Sequence, residues 1–394
     1  MPSKLSIIIN NKNIGCLVQE NGETIFSYLA ANNSVNEADY ISLTMPVRIK
    51  DYTHNQLHPI FEMHLPEGYL LSIIKKHYSK LTKTDDFGLL KLMSDKISGR
   101  LNYELSYENT TITKTSSLTL DELRHPQSTK LFDELVLKFA LSSSLSGVQP
   151  KVLAKVVDKA TLGFNDYIVK SWGEDYPHLA LNEYYCMSIV KKAKISVPEF
   201  YLSDDNKLFI MKRFDIKDNG TYLGFEDMCV LQARQRDDKY QGSYEQIAKT
   251  INIFVSEKNK KQSFIQFFKM IVINFLIQNG DAHLKNFGLL YEDLDNIKLA
   301  PAYDVVCTTV YIKNDIPALH LLGSKKWWAK KYLIRFGMEY CFLTAKESNG
   351  LFNECLVAIK EVSSELEQRL IKEQQPQVRE ILTKIQNVFV SVRS

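Results

Sequence analysis

A surplus of either charge is the first thing the sequence lacks: 49 Lys and Arg stand against 46 Asp and Glu, a formal net charge of +3. So even a balance supplies no long-range field to draw the chain onto nucleic acid or an anionic membrane surface, and bulk charge names no partner. Cysteine is sparse too. The six cysteines are scattered, with no C-x-x-C pair and no histidine pair beside them, a pattern that predicts reduced thiols and a cytoplasmic chain. Long apolar runs are missing. The N-terminal run Leu5–Ile9, closed by Asn10 and Asn11, is too short for the core of a secretory signal. The most apolar helical stretch, 264–277, is interrupted by Gln266, Lys269 and Asn274 and falls short of the roughly 20 residues that cross a bilayer. It predicts a buried helix and no membrane partner. Internal repeats and low-complexity tracts are absent as well.

What is present suits a large folded chain. With 394 residues, 45% hydrophobic and 24% charged, the composition supports a sizeable core, and the length exceeds what one core usually organises. Residues 1 to about 60 carry strand-like runs at Ser6–Asn10, Thr24–Leu29 and Ile41–Met45, parted by Asn, Gly and Asp turn signals. From Pro59 to Met93 the apolar spacing becomes helical. The Thr- and Ser-rich stretch Glu108–Ser117 suggests a boundary, with units expected at 1–125, 126–228 and 229–394. In the second unit, strands are expected at 152–157, 166–170, 199–202 and 207–213, as a mixed sheet with a helix at about 179–193. Beyond Met228 helical periodicity dominates. A short extended pair, 287–291 and 297–300, interrupts it, and the last stretch, 361–390, is helical with a break at Pro376.

The most informative segment is Asn279-Gly280-Asp281-Ala282-His283-Leu284-Lys285-Asn286, where Asp281 and Asn286 stand five positions apart. Protein-kinase catalytic loops have this separation, with the Asp accepting the hydroxyl proton of the substrate and the Asn holding Mg²⁺. Phosphoryl transfer asks for little covalent work, so a carboxylate must sit beside the attacking oxygen and metal ligands beside the phosphates. Eighteen residues after Asn286 comes Asp304. A hairpin between them returns the chain to its start, so two hard oxygen ligands can converge on one ion. The triplet Asp86-Phe87-Gly88 copies the kinase D-F-G signature but lies almost two hundred residues before Asp281, and it is rejected as a metal site.

Upstream, the strand Tyr167-Ile168-Val169-Lys170 ends in a lysine, and Glu183 follows thirteen residues later on a helix. A strand lysine oriented by a helix carboxylate is the kinase device for gripping the α- and β-phosphates; alone, Lys170 reads better as a solvated strand end, and Asp281 and Asp304 turn the balance toward the phosphate grip. The segment Ser142–Lys151 is a small-residue loop that can lay backbone N–H groups against phosphate. It has one glycine, so a Ser-rich turn explains its composition as well. Gly224–Met228 joins the sheet-rich part to the helical part, where a kinase hinge meets adenine; as a plain connector, its Asp227 would cap a helix. His283 suits a structural hydrogen bond better than a catalytic base. Trp327 and Trp328, among Lys325, Lys326, Lys330 and Lys331, suggest a packed, solvated helix face rather than a nucleic-acid platform.

Taken together, Phe61–Gly68, Asp85–Leu90, Ser144–Lys151, Asn279–Asn286 and Tyr303-Asp304 resemble the HipA family of toxin kinases over nearly the whole chain. The resemblance implies an α+β, two-lobed protein-kinase-like fold, with a mixed β-sheet ATP lobe, an all-helical C-terminal lobe and a small N-terminal α/β subdomain. It implies a protein Ser/Thr kinase using ATP and Mg²⁺, with Asp281 catalytic, Asn286 and Asp304 as metal ligands, and Glu183 orienting Lys170. ATP contacts are implied for Ser146, Gly147, Val148, Gln149, Lys151, Lys170, Glu226, Asp227, Met228, His283, Lys285 and Tyr303. Ser144 falls where the family is autophosphorylated, with Ser146 a second candidate; a phosphate there would expel the loop and switch the kinase off. The implied partners are a HipB-like helix-turn-helix antitoxin, operator DNA through that antitoxin only, and a translation component such as an aminoacyl-tRNA synthetase. Two other readings share parts of the pattern: a small-molecule kinase of the aminoglycoside or choline type, and a catalytically silent corepressor.

Overall fold

The computed structural model describes residues 3–29, 35–65, 71, 85–94, 97, 99–105, 119–128, 151–157, 164–171 and 176–392. Five strands, β1 (Ser3–Ile9), β2 (Lys12–Glu20), β3 (Glu23–Tyr28), β4 (Tyr52–His54) and β5 (Asn102–Leu105), form one sheet in the order β4-β3-β2-β1-β5. Its hairpins turn at Asn10-Asn11 and Asn21-Gly22, all four with positive φ, the conformation that tight two-residue turns demand and that Asn and Gly tolerate best. Strand β2 was not expected. Its alternation is blurred by Gly15, whose place against Phe26 and the Ser27 carbonyl leaves no room for a Cβ, and by a register shift at Ile7/Ile8. Leu5, Ile7, Leu17 and Phe26 bury one sheet face against the short helices α1 (Pro59–Glu62) and α2 (Asp86–Leu92). The expected strand Ile41–Met45 is instead a turn closed by a Ser42–Met45 bridge. Its apolar side chains pack between units rather than along a sheet.

After helix α3 (Leu120–Arg124), a second sheet holds β6 (Lys151–Val157), β7 (Phe164–Lys170), β8 (Phe200–Leu202) and β9 (Phe209–Lys212) in the order β6-β7-β9-β8. Every pairing in it is antiparallel, where a mixed sheet was expected. Side chains alternate across β7: Tyr167 and Val169 join the core of the N-terminal unit, while Ile168 packs against the opposite, kinase-like core. Helix α4 (Leu179–Lys192) lies on that opposite side and buries ten of its 14 residues.

The remainder is mainly helical: α5 (Met228–Leu231), α6 (Tyr244–Phe254), α7 (Glu257–Leu276), α8 (Lys330–Tyr340), α9 (Ala345–Lys372) and α10 (Pro376–Ser391). Proline starts α10 because its missing N–H matters least in the first turn. A three-stranded antiparallel sheet joins β10 (Gly224–Asp227), just before α5, to β11 (Gly288–Tyr291) and β12 (Ile297–Leu299) between α7 and α8. Helix α7 is the buried helix that the apolar run predicts. Its polar interruptions are tethers: Gln266 Nε2 donates to the Ala300 carbonyl at 2.7 Å and Lys269 Nζ to the Ala193 carbonyl at 2.6 Å. Asn274 Oδ1 accepts from Asn279 Nδ2 at 2.9 Å. Trp327 and Trp328 precede α8 instead of forming a helix face, with indole N–H groups on the Asp315 and Leu321 carbonyls at 3.0 and 2.8 Å. None of the six cysteines is in a disulfide, and among the described residues no helix is long and apolar enough to cross a membrane.

Candidate active site

The site forms where β7, α4 and the segment after β12 meet. Lys170 Nζ lies 2.5 Å from Glu183 Oε1 on α4 and 2.5 Å from Asp304 Oδ1. Burial pulls the lysine pKa down, but the Asp304 and Glu183 carboxylates outweigh it and the net direction is upward. The ammonium is therefore held charged between two carboxylates. Asp304 has φ +60°, a left-handed conformation that persists at a non-glycine residue when its surroundings over-determine it. Beside it, Asn182 accepts from Cys307 N and donates to Cys307 O, each at 2.9 Å, locking α4 to the chain just past Asp304. No local signal marks Asn182 in the sequence.

Asn279 starts the segment 279–286; tied to Asn274, it also accepts from Asp281 N at 3.1 Å. Gly280 donates its N–H to Thr308 Oγ1 at 2.7 Å, and a Cβ at this position would run into the Asp315 carboxylate. The single hydroxyl proton of Thr308 is shared in turn between the Gln278 carbonyl, at 3.1 Å, and Asp315. Thr308 and Asp315, like Asn182, escape a sequence reading because each is an ordinary polar residue whose partner is brought by the fold. The Asp281 side chain is 42% exposed. Its Oδ1 accepts from Tyr240 OH at 2.7 Å, with His283 Nε2 at 3.9 Å.

Asn286 accepts from His283 N at 3.2 Å and aims Nδ2 at the Asp304 carbonyl at 3.4 Å. The hairpin β11–β12 thus brings Asn286 to Asp304, which meets Lys170 of β7 and, through it, Glu183 of α4. Lys285 Nζ is 2.7 Å from Asp227 Oδ2, and Tyr303 OH donates to the Lys285 carbonyl at 2.7 Å. Asp227 Oδ1 also caps α5 by accepting from Val230 N at 3.0 Å. Glu226 faces elsewhere: its carboxylate accepts from Ser42 Oγ at 2.6 Å, Leu43 N at 2.8 Å and Tyr291 OH at 2.6 Å. It clasps the N-terminal unit. The Met228 N–H donates to the Phe287 carbonyl at 3.0 Å, so the expected adenine contacts of 226–228 do not come from the Glu226 carboxylate or the Met228 amide in this arrangement.

Ser144, Ser146, Gly147, Val148, Gln149 and Pro150 lie outside the described residues. Lys151 is described by its backbone alone, paired across from Lys170. Among the described residues no three His, Cys, Asp or Glu gather as a metal cluster. The donors here, one carboxylate at Asp304 and the amide of the adjoining Asn286, nevertheless fit Mg²⁺, which binds through one or two carboxylates and completes its shell with phosphate oxygens and water.

Residues 143–386 match the HipA-like C-terminal domain and residues 5–104 the HipA N-terminal domain. The chain belongs to the HipA family. It is similar to the Sinorhizobium fredii protein named "Putative kinase Y4dM", 32% identical over 211 residues, 48% of this chain and 50% of that one. A "Putative kinase" of Haemophilus influenzae is 32% identical over 203 residues, 46% of this chain and 59% of that one. The matched stretch thus spans about half the length of these relatives. In structure the chain is similar to the Shewanella oneidensis MR-1 HipA of a complex with HipB and operator DNA, with a TM-score of 0.74, 16% identity and coverage of 98% of this chain and 96% of that one. That likeness carries the fold: an α+β HipA architecture with a sheet-rich lobe, a helical lobe and an N-terminal unit.

Proposed function

We propose that the chain is a HipA-type protein Ser/Thr kinase that transfers the γ-phosphoryl group of ATP to a translation component and thereby arrests growth. One observation carries the reading: Lys170, Glu183 and Asp304, from three separate elements, meet within 2.5 Å contacts next to the Asp281–Asn286 loop. A buried lysine held between a helix carboxylate and a cleft carboxylate is poised to exchange the latter for phosphate oxygens. Asp281 accepts the proton of the acceptor hydroxyl, and Lys285, on the same loop, is held by Asp227. Asn286 and Asp304 would hold Mg²⁺, which when bound neutralises charge on the phosphates. Phosphorylation of Ser144 or Ser146 would place about −1.5 to −2 charges in the nucleotide-contacting loop and expel it.

The Shewanella relative is complexed with HipB and operator DNA, which supports a helix-turn-helix antitoxin as partner here, with DNA engaged through it. The decisive experiment incubates the purified chain and its Asp281→Asn variant with labelled ATP, Mg²⁺ and cell lysate. Label on a protein, lost by at least about 100-fold in the variant, is the expected result. Label on a metabolite alone would make the chain a small-molecule kinase, ATP binding without transfer a silent corepressor, and normal turnover by Asp281→Asn would refute the role of Asp281.

A further inference from the structure

Between the N-terminal unit and the catalytic loop runs a short compact segment, 235–241, none of it marked by a motif. Arg236 opens its 3-10 turn, Arg236–Asp238, and is held from the N-terminal side. Its backbone N–H donates to Glu62 Oε2 at 2.8 Å, its Nη2 donates to Asp86 Oδ1 at 2.8 Å, and its Nε lies 3.6 Å from Glu62 Oε1. Gln235 Nε2 adds a bond to the Leu57 carbonyl at 3.2 Å. Asp86, the aspartate of the misleading Asp-Phe-Gly triplet, therefore grips an arginine.

The far end of the same segment touches the catalytic loop twice. The Lys239 carbonyl accepts from Leu284 N at 3.0 Å. Tyr240 OH donates to Asp281 Oδ1 at 2.7 Å, and its ring meets the His283 ring edge-on, centroids 5.0 Å apart. The turn between is tight, with Asp238 N on the Gln235 carbonyl at 3.0 Å and Gln241 N on the Asp238 carbonyl at 2.8 Å, so a shift at Arg236 reaches Tyr240. A phenol donating to one oxygen fixes the rotation of a carboxylate and thereby selects the oxygen that meets an incoming hydroxyl, the kind of placement on which phosphoryl transfer depends.

We propose that segment 235–240 is a strut through which the N-terminal unit positions the catalytic carboxylate: Glu62 and Asp86 hold Arg236, and Tyr240 orients Asp281. The inference rests on the role of Asp281 given above. Arg236 and Tyr240 are positioning residues, and the N-terminal unit becomes part of the machinery that sets turnover. A partner that pulled on it would change the rate with the nucleotide contacts intact.

The test uses the full chain. Without nucleotide, hydrogen exchange of the peptide covering 279–286 should quicken about tenfold in Arg236→Ala, the loss expected for hydrogen bonds to charged groups. Asp86→Asn, a milder change, should move it in the same direction and serves if Arg236→Ala does not fold. Unchanged exchange in a cooperatively melting variant overturns the strut. In turnover of ATP with casein as acceptor, Tyr240→Phe should lower kcat about tenfold with KM for ATP unchanged. The double variant Arg236→Ala/Tyr240→Phe should be no slower than the slower single one, because both act on one contact. Turnover by Tyr240→Phe within twofold of wild type, or multiplicative losses in the double variant, overturns the proposal. Asp281→Asn measured alongside separates the two failures: normal turnover there removes the role of Asp281, while the exchange result stands by itself.

Discussion

Replacing Lys170 by Met removes a cation that two carboxylates share, and the consequence for stability can be worked from burial. Breaking a buried ion pair by deleting one partner costs about 3–5 kcal/mol, because the other charge is left without compensation. Here the carboxylates differ: the Glu183 side chain is 1% exposed and that of Asp304 21%. Asp304 can turn toward water, so the cost falls on the buried Glu183, and the loss should fall near the lower end, about 3 kcal/mol. For a unit of about 250 residues that is a drop of about 6–12 °C in the melting transition that reports the kinase-like part. The raised pKa of Lys170 means its contribution is complete at neutral pH and fades only as pH climbs through that raised value. Calorimetry of Lys170→Met at pH 7.5 reads the drop. A second variant, Lys170→Met/Glu183→Leu, replaces the pair by apolar groups and should recover most of it, while phosphoryl transfer stays abolished in both. Melting of Lys170→Met within about 1 °C of wild type, or no recovery in the double variant, would refute the shared-cation account.

Gly280→Ala forces a Cβ into the Asp315 carboxylate and should lower stability by about 1–3 kcal/mol, with a larger proportional loss of turnover as the Asp281 loop shifts; a melting curve and a rate matching wild type would contradict the packing. Glu226→Ala strips the acceptor from Ser42 Oγ, Leu43 N and Tyr291 OH and should cost about 3 kcal/mol or more. Faster proteolysis within residues 35–65 is the check, and unchanged protection would show that the clasp contributes nothing. Burial drives the Glu62 carboxyl up to about 7, against the pull of the Arg236 N–H and charge. An acid whose folded pKa exceeds its unfolded value loses stability as pH rises from about 4.5 to 7, so the melting of Glu62→Gln should gain on wild type across that window, by up to about 3 kcal/mol; a difference independent of pH would refute the burial argument.

Local chemistry made much of the architecture readable. The turn signals at Asn10-Asn11 and Asn21-Gly22, the buried helix α7, the strand ending at Lys170 and the helix break at Pro376 all follow from short-range rules of turn geometry, periodicity and proline. The failures have equally local causes. Gly15 and a register shift hide β2, since a residue needed for close backbone approach carries no side chain to mark alternation. Ile41–Met45 imitates a strand because its apolar residues face two different units, which one-dimensional spacing cannot tell from two faces of a sheet.

The candidate site divides along the same line. Asn286 and Asp304 are predictable neighbours because a short hairpin separates them and must return the chain to its origin. Lys170 and Glu183 are predictable because a strand followed by a helix leaves few ways to pack. The groups that hold these residues in place obey no such closure: Ser42 meets Glu226 across 184 positions, Glu62 meets the Arg236 N–H across 174, and Asn182 meets Cys307 across 125. Each is a common polar residue until the fold supplies its partner, and each sits where a buried donor or acceptor must be satisfied. Asp86 shows the hazard from the other side, since a kinase-like triplet at the wrong place along the chain serves to anchor an arginine. Spacing identifies chemistry when topology forces the residues back together within one hairpin or one strand–helix step. Beyond that reach, the same letters specify how the parts are fastened, and only the three-dimensional arrangement says to what.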